Sequence, residues 1–213
     1  NLKRLLKKKI RIIGAGRTDK GVHAFGQSAN FLIQKKIENK KNFLNSINFF
    51  LSKYLISVID IKRKKLSFNA RYDAKQRVYE YKIINRQSNL AIFKEKAWHV
   101  KKKLNIKLIK KGTKILQGTH DFSTFRSSSC SANSPIKTID NVKVKKDKDT
   151  ILIEFKSKSF LQNQVRSMVG CLKYLSSEKW DLKKFKFAMN SKKRSFCAPP
   201  APAHGLYLTK VKY

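Results

Sequence analysis

Apolar and polar positions along the chain alternate between a strand period and a helix period. Residues 10–13 read as a short buried strand broken by Gly14-Ala15-Gly16, and residues 25–33 read as a second strand after an irregular polar stretch. From 41 to 54, Leu44, Ile47, Phe50, Leu51 and Tyr54 recur at helical spacing, which predicts a helix with one face on a sheet. Residues 55–61 return to a strand pattern. Further on, 77–84 alternates with Tyr79, Tyr81 and Ile83 on one face, and a helix over 104–116 stops at Gly118. Segments 137–145 and 151–155 flank Asp147-Lys148-Asp149 as a hairpin, a helix follows that carries Leu161, Val165, Met168, Val169 and Leu172, and 205–213 closes the chain as a strand. No repeat of fixed period is present. The hairpin signals predict an α+β sheet with antiparallel pairing rather than a parallel doubly wound one.

The 213 residues suffice for one large domain or two small ones, and no apolar run reaches the roughly 20 residues of a membrane-spanning helix. Charge changes the picture more than length does. With 50 basic against 13 acidic residues the formal charge is +37, and a polyanion such as a phosphate backbone is the natural partner. Most of the excess is lysine, so part of it is solvated surface. Cys130, Cys171 and Cys197 lack the close pairing of a zinc knuckle, and an odd count argues against a disulfide framework, which fits a reducing cytosol. Leu2, Leu5, Leu6 and Ile10 lie among basic residues without the apolar centre of a signal peptide, and read as a helix tail.

The densest group of chemically capable residues runs from Gly14 to Ala24, between two predicted strands. Asp19 is the only acid before Glu38, and Arg17, Lys20 and His23 are positioned in sequence to favour its carboxylate form if they approach it. The competing reading is that Asp19 caps a turn and pairs with Arg17. Gly14-x-Gly16 lacks the third glycine of a dinucleotide loop and is not followed by a helix start.

Arg17-Thr18-Asp19-x-Gly21-Val22-His23-Ala24 resembles the signature of the tRNA pseudouridine synthase A family, whose aspartate is the catalytic nucleophile. Phe68-x-Ala70-Arg71 with Arg77-x-Tyr79-x-Tyr81 is similar to its second motif, and His120-Asp121-Phe122-Ser123-x-Phe125-Arg126 also matches. Phe160-Leu161 with Val165-Arg166-x-Met168-Val169-Gly170 is like the helix that brings an arginine to the aspartate, and Ala201 to Leu208 resembles the closing segment. The chain departs from the pattern at its front, where the family's first strand and most of its first helix are missing. It departs again at Asn163-Gln164, where a His or other bulky polar residue is usual.

The resemblance implies a pseudouridine synthase fold: a mainly antiparallel mixed sheet flanked by helices, in two lobes with a central cleft. Residues 1–66 would form an amino-terminal lobe carrying the Asp19 loop, and 67–213 a carboxy-terminal lobe carrying the Tyr79 strand and the Arg166 helix. It implies isomerisation of uridine to pseudouridine at tRNA positions 38–40 by a cytoplasmic homodimer, with no metal, no organic cofactor and no membrane. By the same resemblance Asp19 and Arg166 are catalytic, while Tyr79 packs on the target base and Arg17 fills the space the base vacates. From the residues themselves, Arg166 on an apolar helix must find an anion, because a buried unpaired guanidinium is costly, and Asp19 is the natural partner. Tyr79 on an alternating strand would otherwise be an ordinary sheet residue, and His23 a packed structural one. The Lys runs at 7–9, 101–103 and 143–148 are candidates for phosphate contact. The alternative from another class is a non-catalytic RNA-binding protein derived from this family by truncation.

Overall fold

In a computed structural model, which describes residues 2–34 and 36–213, the alternating segments around Tyr79, Val142 and Ile153 become the long strands of one sheet. In chain order the elements are α1 (Leu2–Leu6), β1 (Ile13–Gly14), β2 (His23–Ala24), β3 (Ala29–Asn30), α2 (Lys40–Leu51), β4 (Gln76–Asn85), β5 (Trp98–Val100), α3 (Ile106–Leu116), β6 (Gly118–Asp121), β7 (Ile136–Asp147), β8 (Thr150–Ser157), α4 (Gln164–Ser176), α5 (Leu182–Asn190) and β9 (Leu206–Lys212). Three helix starts share one cause. The side chains of Asn39, Asn105 and Asp181 accept from the backbone N–H three residues on, at 2.9, 3.2 and 2.7 Å, and so satisfy one of the free donors of α2, α3 and α5.

Contacts divide the chain into two compact units, one built from residues up to Gly16 with Ser28–Asp73, the other from Arg17–Gln27 with Ala74–Tyr213. The sequence boundary drawn at 66 placed the Asp19 loop in the amino-terminal part, whereas by contacts that loop groups with the larger unit.

In the smaller unit β1 pairs antiparallel with β3, and the Asn30 side chain accepts from Ala70 N at 2.8 Å and donates to Phe68 O at 3.1 Å. The strand predicted over 55–61 does not form. Val58 instead exchanges both of its backbone groups with the Asn48 amide, donating at 2.7 Å and accepting at 2.9 Å, and Leu55, Ile56 and Ile59 are exposed. A side-chain amide offers the same donor and acceptor as a peptide, so this contact replaces a ladder rather than extending one. The strand predicted over 10–13 shrinks to Ile13–Gly14. The one predicted over 25–33 likewise shrinks, to the two residues of β3, while β2 forms just before it at 23–24.

In the larger unit the strand order is β2-β9-β4-β8-β7-β6, with β5 also paired to β4. The β2·β9 and β4·β5 pairs are parallel and the others antiparallel, giving the mixed, mainly antiparallel α+β sheet expected. Along β8, Ile151, Ile153 and Phe155 are fully buried and alternate with less buried neighbours, as a strand with one face on a core requires. Each such side chain contributes roughly 1.5–3 kcal/mol of burial. That core continues into α4, where ten of 13 residues are buried, so the helix is enclosed on nearly every side. Gly170 makes this enclosure feasible, since a Cβ there would lie 2.1 Å from the Pro199 carbonyl oxygen. The sequence placed Leu161 on this helix. It lies before the helix, which starts after Asn163 in a left-handed conformation (φ 62°), and the Leu161 N–H donates to the Gln164 side chain at 2.8 Å.

Candidate active site

The segment carrying Asp19 is held by the last strand. His23 and Ala24 pair with Tyr207 and Leu208, and the N–H groups of Phe25 and Gly26 both donate to the Leu208 carbonyl, at 2.9 and 3.2 Å. The rings of His23 and Phe25 stack on Tyr207 with centroids 4.7 and 5.1 Å apart, and His23 Nε2 donates to the Glu95 carbonyl at 3.0 Å. These contacts make His23 a packing residue of the loop. Just before it the chain turns, with Val22 N donating to the Asp19 carbonyl at 3.1 Å and Gly21 at φ +83° beside the Ala203 methyl group. A side chain at Gly21 would be strained in that conformation. The turn therefore presents the Asp19 carboxylate from a backbone anchored just beyond it by β9.

Arg166 reaches it from the first turn of α4. Its Nε donates to the Ala201 carbonyl at 2.8 Å, and its Nη1 donates to Asn163 Oδ1 and Asp19 Oδ2, each at 3.0 Å. The Ala201 N–H donates back to the Arg166 carbonyl at 2.9 Å, so the 201 segment and the helix lock each other. Side-chain exposure is 18% for Arg166 and 26% for Asp19, low enough for a strong pair yet open on one side. Among the described residues Asp19 Oδ1 has no hydrogen-bond partner. One carboxylate oxygen is thus tethered and the other is available.

Tyr79 completes the group. It sits on β4 opposite Phe155 of β8 and Leu208 of β9, immediately after a register shift, and its ring meets Phe160 edge-on at 5.2 Å. Burial pushes its hydroxyl up to about 12; the Arg77 charge opposes this and the Asp19 charge adds to it. Tyr79 is therefore neutral at physiological pH and close enough to Asp19 to feel its charge. Tyr81, two residues on, belongs to the core: its hydroxyl donates to the Pro202 carbonyl at 2.7 Å and burial pushes its pKa up.

Of the four site residues read from sequence, Asp19, Arg166 and Tyr79 come together. Arg17 is exposed and joins none of the ion pairs among the described residues, so the turn-cap reading in which it pairs with Asp19 is not what the chain adopts. Sequence reading missed the Ala201 carbonyl, because backbone contacts leave no residue-type signal. It also read Asn163 only as a departure from a pattern, although Asn163 holds the same nitrogen of Arg166 that holds Asp19.

Known proteins place this arrangement in a class. The family described as tRNA pseudouridine synthase matches residues 113–213, the part that includes Arg166. The whole chain is 58% identical over 212 residues to tRNA pseudouridine synthase A of Pelagibacter ubique, covering 100% of this chain and 86% of that protein. It is 42% identical over 209 residues to the protein of the same name from Neorickettsia sennetsu, covering 98% and 85%. It is 40% identical over 204 residues to the one from Rhodopseudomonas palustris, covering 96% and 83%. The chain belongs to the tRNA pseudouridine synthase family.

Proposed function

We propose that this protein converts uridine to pseudouridine in the anticodon stem-loop of tRNA, with Asp19 as the nucleophile. The observation that carries the reading is the Asp19–Arg166 pair, in which one carboxylate oxygen is tethered at 3.0 Å while the other has no hydrogen-bond partner among the described residues. The reaction breaks the bond from ribose C1′ to N1, turns the uracil, and joins C5 to C1′; C5 loses its hydrogen and N1 gains one, so no electron carrier is consumed. A free carboxylate oxygen is suited both to attack and to accept the ribose proton that leaves on elimination. In either route Arg166 positions it.

A stacked base must be extruded before this chemistry, at a cost of a few kcal/mol. Tyr79, uncharged and half-buried, offers an apolar face for the extruded uracil, and exposed Arg17 is suited to enter the gap left in the RNA stack. The surplus of lysine serves phosphate contacts that carry no sequence information. The same reading includes a cytoplasmic homodimer that needs no metal or organic cofactor.

The test is pseudouridine formation on an unmodified tRNA transcript by the wild-type chain and Asp19→Ala at equal RNA occupancy. Product from the wild type alone is the expected result. Product from both proteins would remove Asp19 from the chemistry, and RNA binding without product from either would leave an RNA-binding protein.

A further inference from the structure

The three thiols have no part in this chemistry, yet two of them meet. Cys171 of α4 and Cys197, 26 positions later, have their sulfurs 3.5 Å apart, which is van der Waals contact and about 1.5 Å longer than a disulfide bond. Cys171 is buried and Cys197 partly exposed, so the pair has one inner and one outer member. A cation stands beside the outer one: Arg194 Nη1 lies 3.3 Å from the Cys197 sulfur, and the same nitrogen donates to Ser167 Oγ at 2.7 Å. The guanidinium is fixed from the helix side, so its charge does not swing away. These are the conditions under which a thiol becomes a reactive thiolate, an adjacent positive charge with partial access to solvent.

We propose that Cys171 and Cys197 form a peroxide-sensitive dithiol, with Cys197 as the attacking sulfur and Cys171 as the resolving one. The Cys197 thiolate attacks one oxygen of hydrogen peroxide and the O–O bond breaks. Cys197 becomes a sulfenic acid, and the departing hydroxide takes up a proton as water. The Cys171 thiol then attacks the sulfenic sulfur. The S–S bond forms, the S–O bond breaks, and the hydroxyl leaves with the Cys171 proton as a second water. Two thiols and one peroxide thus give one disulfide and two waters, with two electrons passing from sulfur to oxygen. The direction of the polarisation agrees: the Cys171 hydrogen bond, with help from Arg194 and Ser167, holds the Cys197 thiol below its usual range against the opposing effect of burial, whereas Cys171 is pushed up. The buried thiol stays protonated and waits for an electrophile.

The consequence lies close to the site. Cys197 opens the segment that reaches Ala201, whose carbonyl and N–H clasp Arg166, and the same segment crosses α4 in contact at Gly170. A bond between positions 171 and 197 would fasten this segment to the helix covalently.

The test uses the full chain carrying Cys130→Ser, treated with hydrogen peroxide under native conditions and followed by intact mass. The expected result is a loss of about 2 Da, the two hydrogens of one disulfide, in a species that stays monomeric on a non-reducing gel and is restored by dithiothreitol. Adding Cys171→Ser should instead stop the reaction at a Cys197 sulfenic acid that dimedone traps, and adding Arg194→Gln should slow the loss of free thiol. The proposal is overturned if peroxide only adds oxygen, with gains of about 16 or 32 Da, or links separate chains, or leaves both thiols alkylatable until the protein unfolds.

Discussion

Arg166→Lys separates geometry from charge at the site. Lysine retains the positive charge but has one nitrogen, so it cannot donate to the Ala201 carbonyl from one position and to Asp19 and Asn163 from another, as Arg166 does at 2.8 and 3.0 Å. Hydrogen bonds to a charged group contribute about 1.5–3 kcal/mol each. Partial exposure of Arg166 and Asp19 reduces that figure, and losing two bonds should cost about 2 kcal/mol in all. For a chain of this length that corresponds to a fall in Tm of roughly 4–8 °C, readable by calorimetry. The effect on rate should be larger than on folding, because a carboxylate free to move by about 1 Å forfeits on the order of 100-fold. Tritium released from uridine labelled at C5 within tRNA, under single-turnover conditions and at matched RNA occupancy, measures that rate directly. If Arg166→Lys stays within about threefold of wild type, a difference of only about 0.6 kcal/mol, while Asp19→Ala is inactive, then the forked contact does not position the nucleophile.

Three further outcomes follow from the same geometry. Asn163→Ala should destabilise more than Asn163→Gly, by about 1 kcal/mol in chemical denaturation, since both lose the bond to Arg166 but only alanine is strained at φ 62°. Gly170→Ala should cost about 1–3 kcal/mol and reduce pseudouridine formation although Gly170 is buried, because its Cβ would displace the Pro199 backbone that leads to Ala201; an unchanged rate would break the link between that segment and Arg166. Tyr79 is neutral until about pH 12 when folded and titrates near 10 when unfolded, so its contribution is complete below pH 10 and is lost as pH rises towards 12. Tyr79→Phe should therefore flatten the alkaline fall in stability by up to roughly 3 kcal/mol, and an identical alkaline slope in both proteins would refute that assignment.

Long elements were legible in the sequence where burial repeats with a regular period. The alternation through Tyr79, Tyr81 and Ile83 and the hairpin at 147–149 both appear as read, because one face of β4, β7 and β8 is covered by core. The α5 helix was overlooked although its cues are present: Asp181 at the cap and Phe185, Ala188 and Met189 buried at helical spacing. Short pairings were not legible. Whether 23–24 and 29–30 belong to one strand depends on which distant chain each meets, and that is tertiary information. The strand pattern over 55–61 misled for a related reason, because apolar alternation cannot reveal that the Asn48 amide takes the backbone groups. At the site, Asp19 and Arg166 were named together from motif and charge, and their pairing agrees. Arg17 carried the same kind of motif signal, yet it is exposed and joins no ion pair among the described residues. The Cys171–Cys197 contact left no trace in the spacing either, because the two lie 26 positions apart and the chain folds back on α4 to join them.

The division of the chain bears on heredity as well as on chemistry. The larger unit is not contiguous: Arg17–Gln27 belongs to it, yet Ser28–Asp73 intervenes before Ala74 resumes it. A cut after Asp73 would release a fragment holding Arg166 and Tyr79 but not Asp19. Neither unit can therefore be exchanged between genes as a single cassette without parting the carboxylate from its guanidinium. A crossover between Asp19 and Arg166 draws the two members of the pair from different parents, so both pieces of the interrupted unit have to travel together for the pair to be inherited as one.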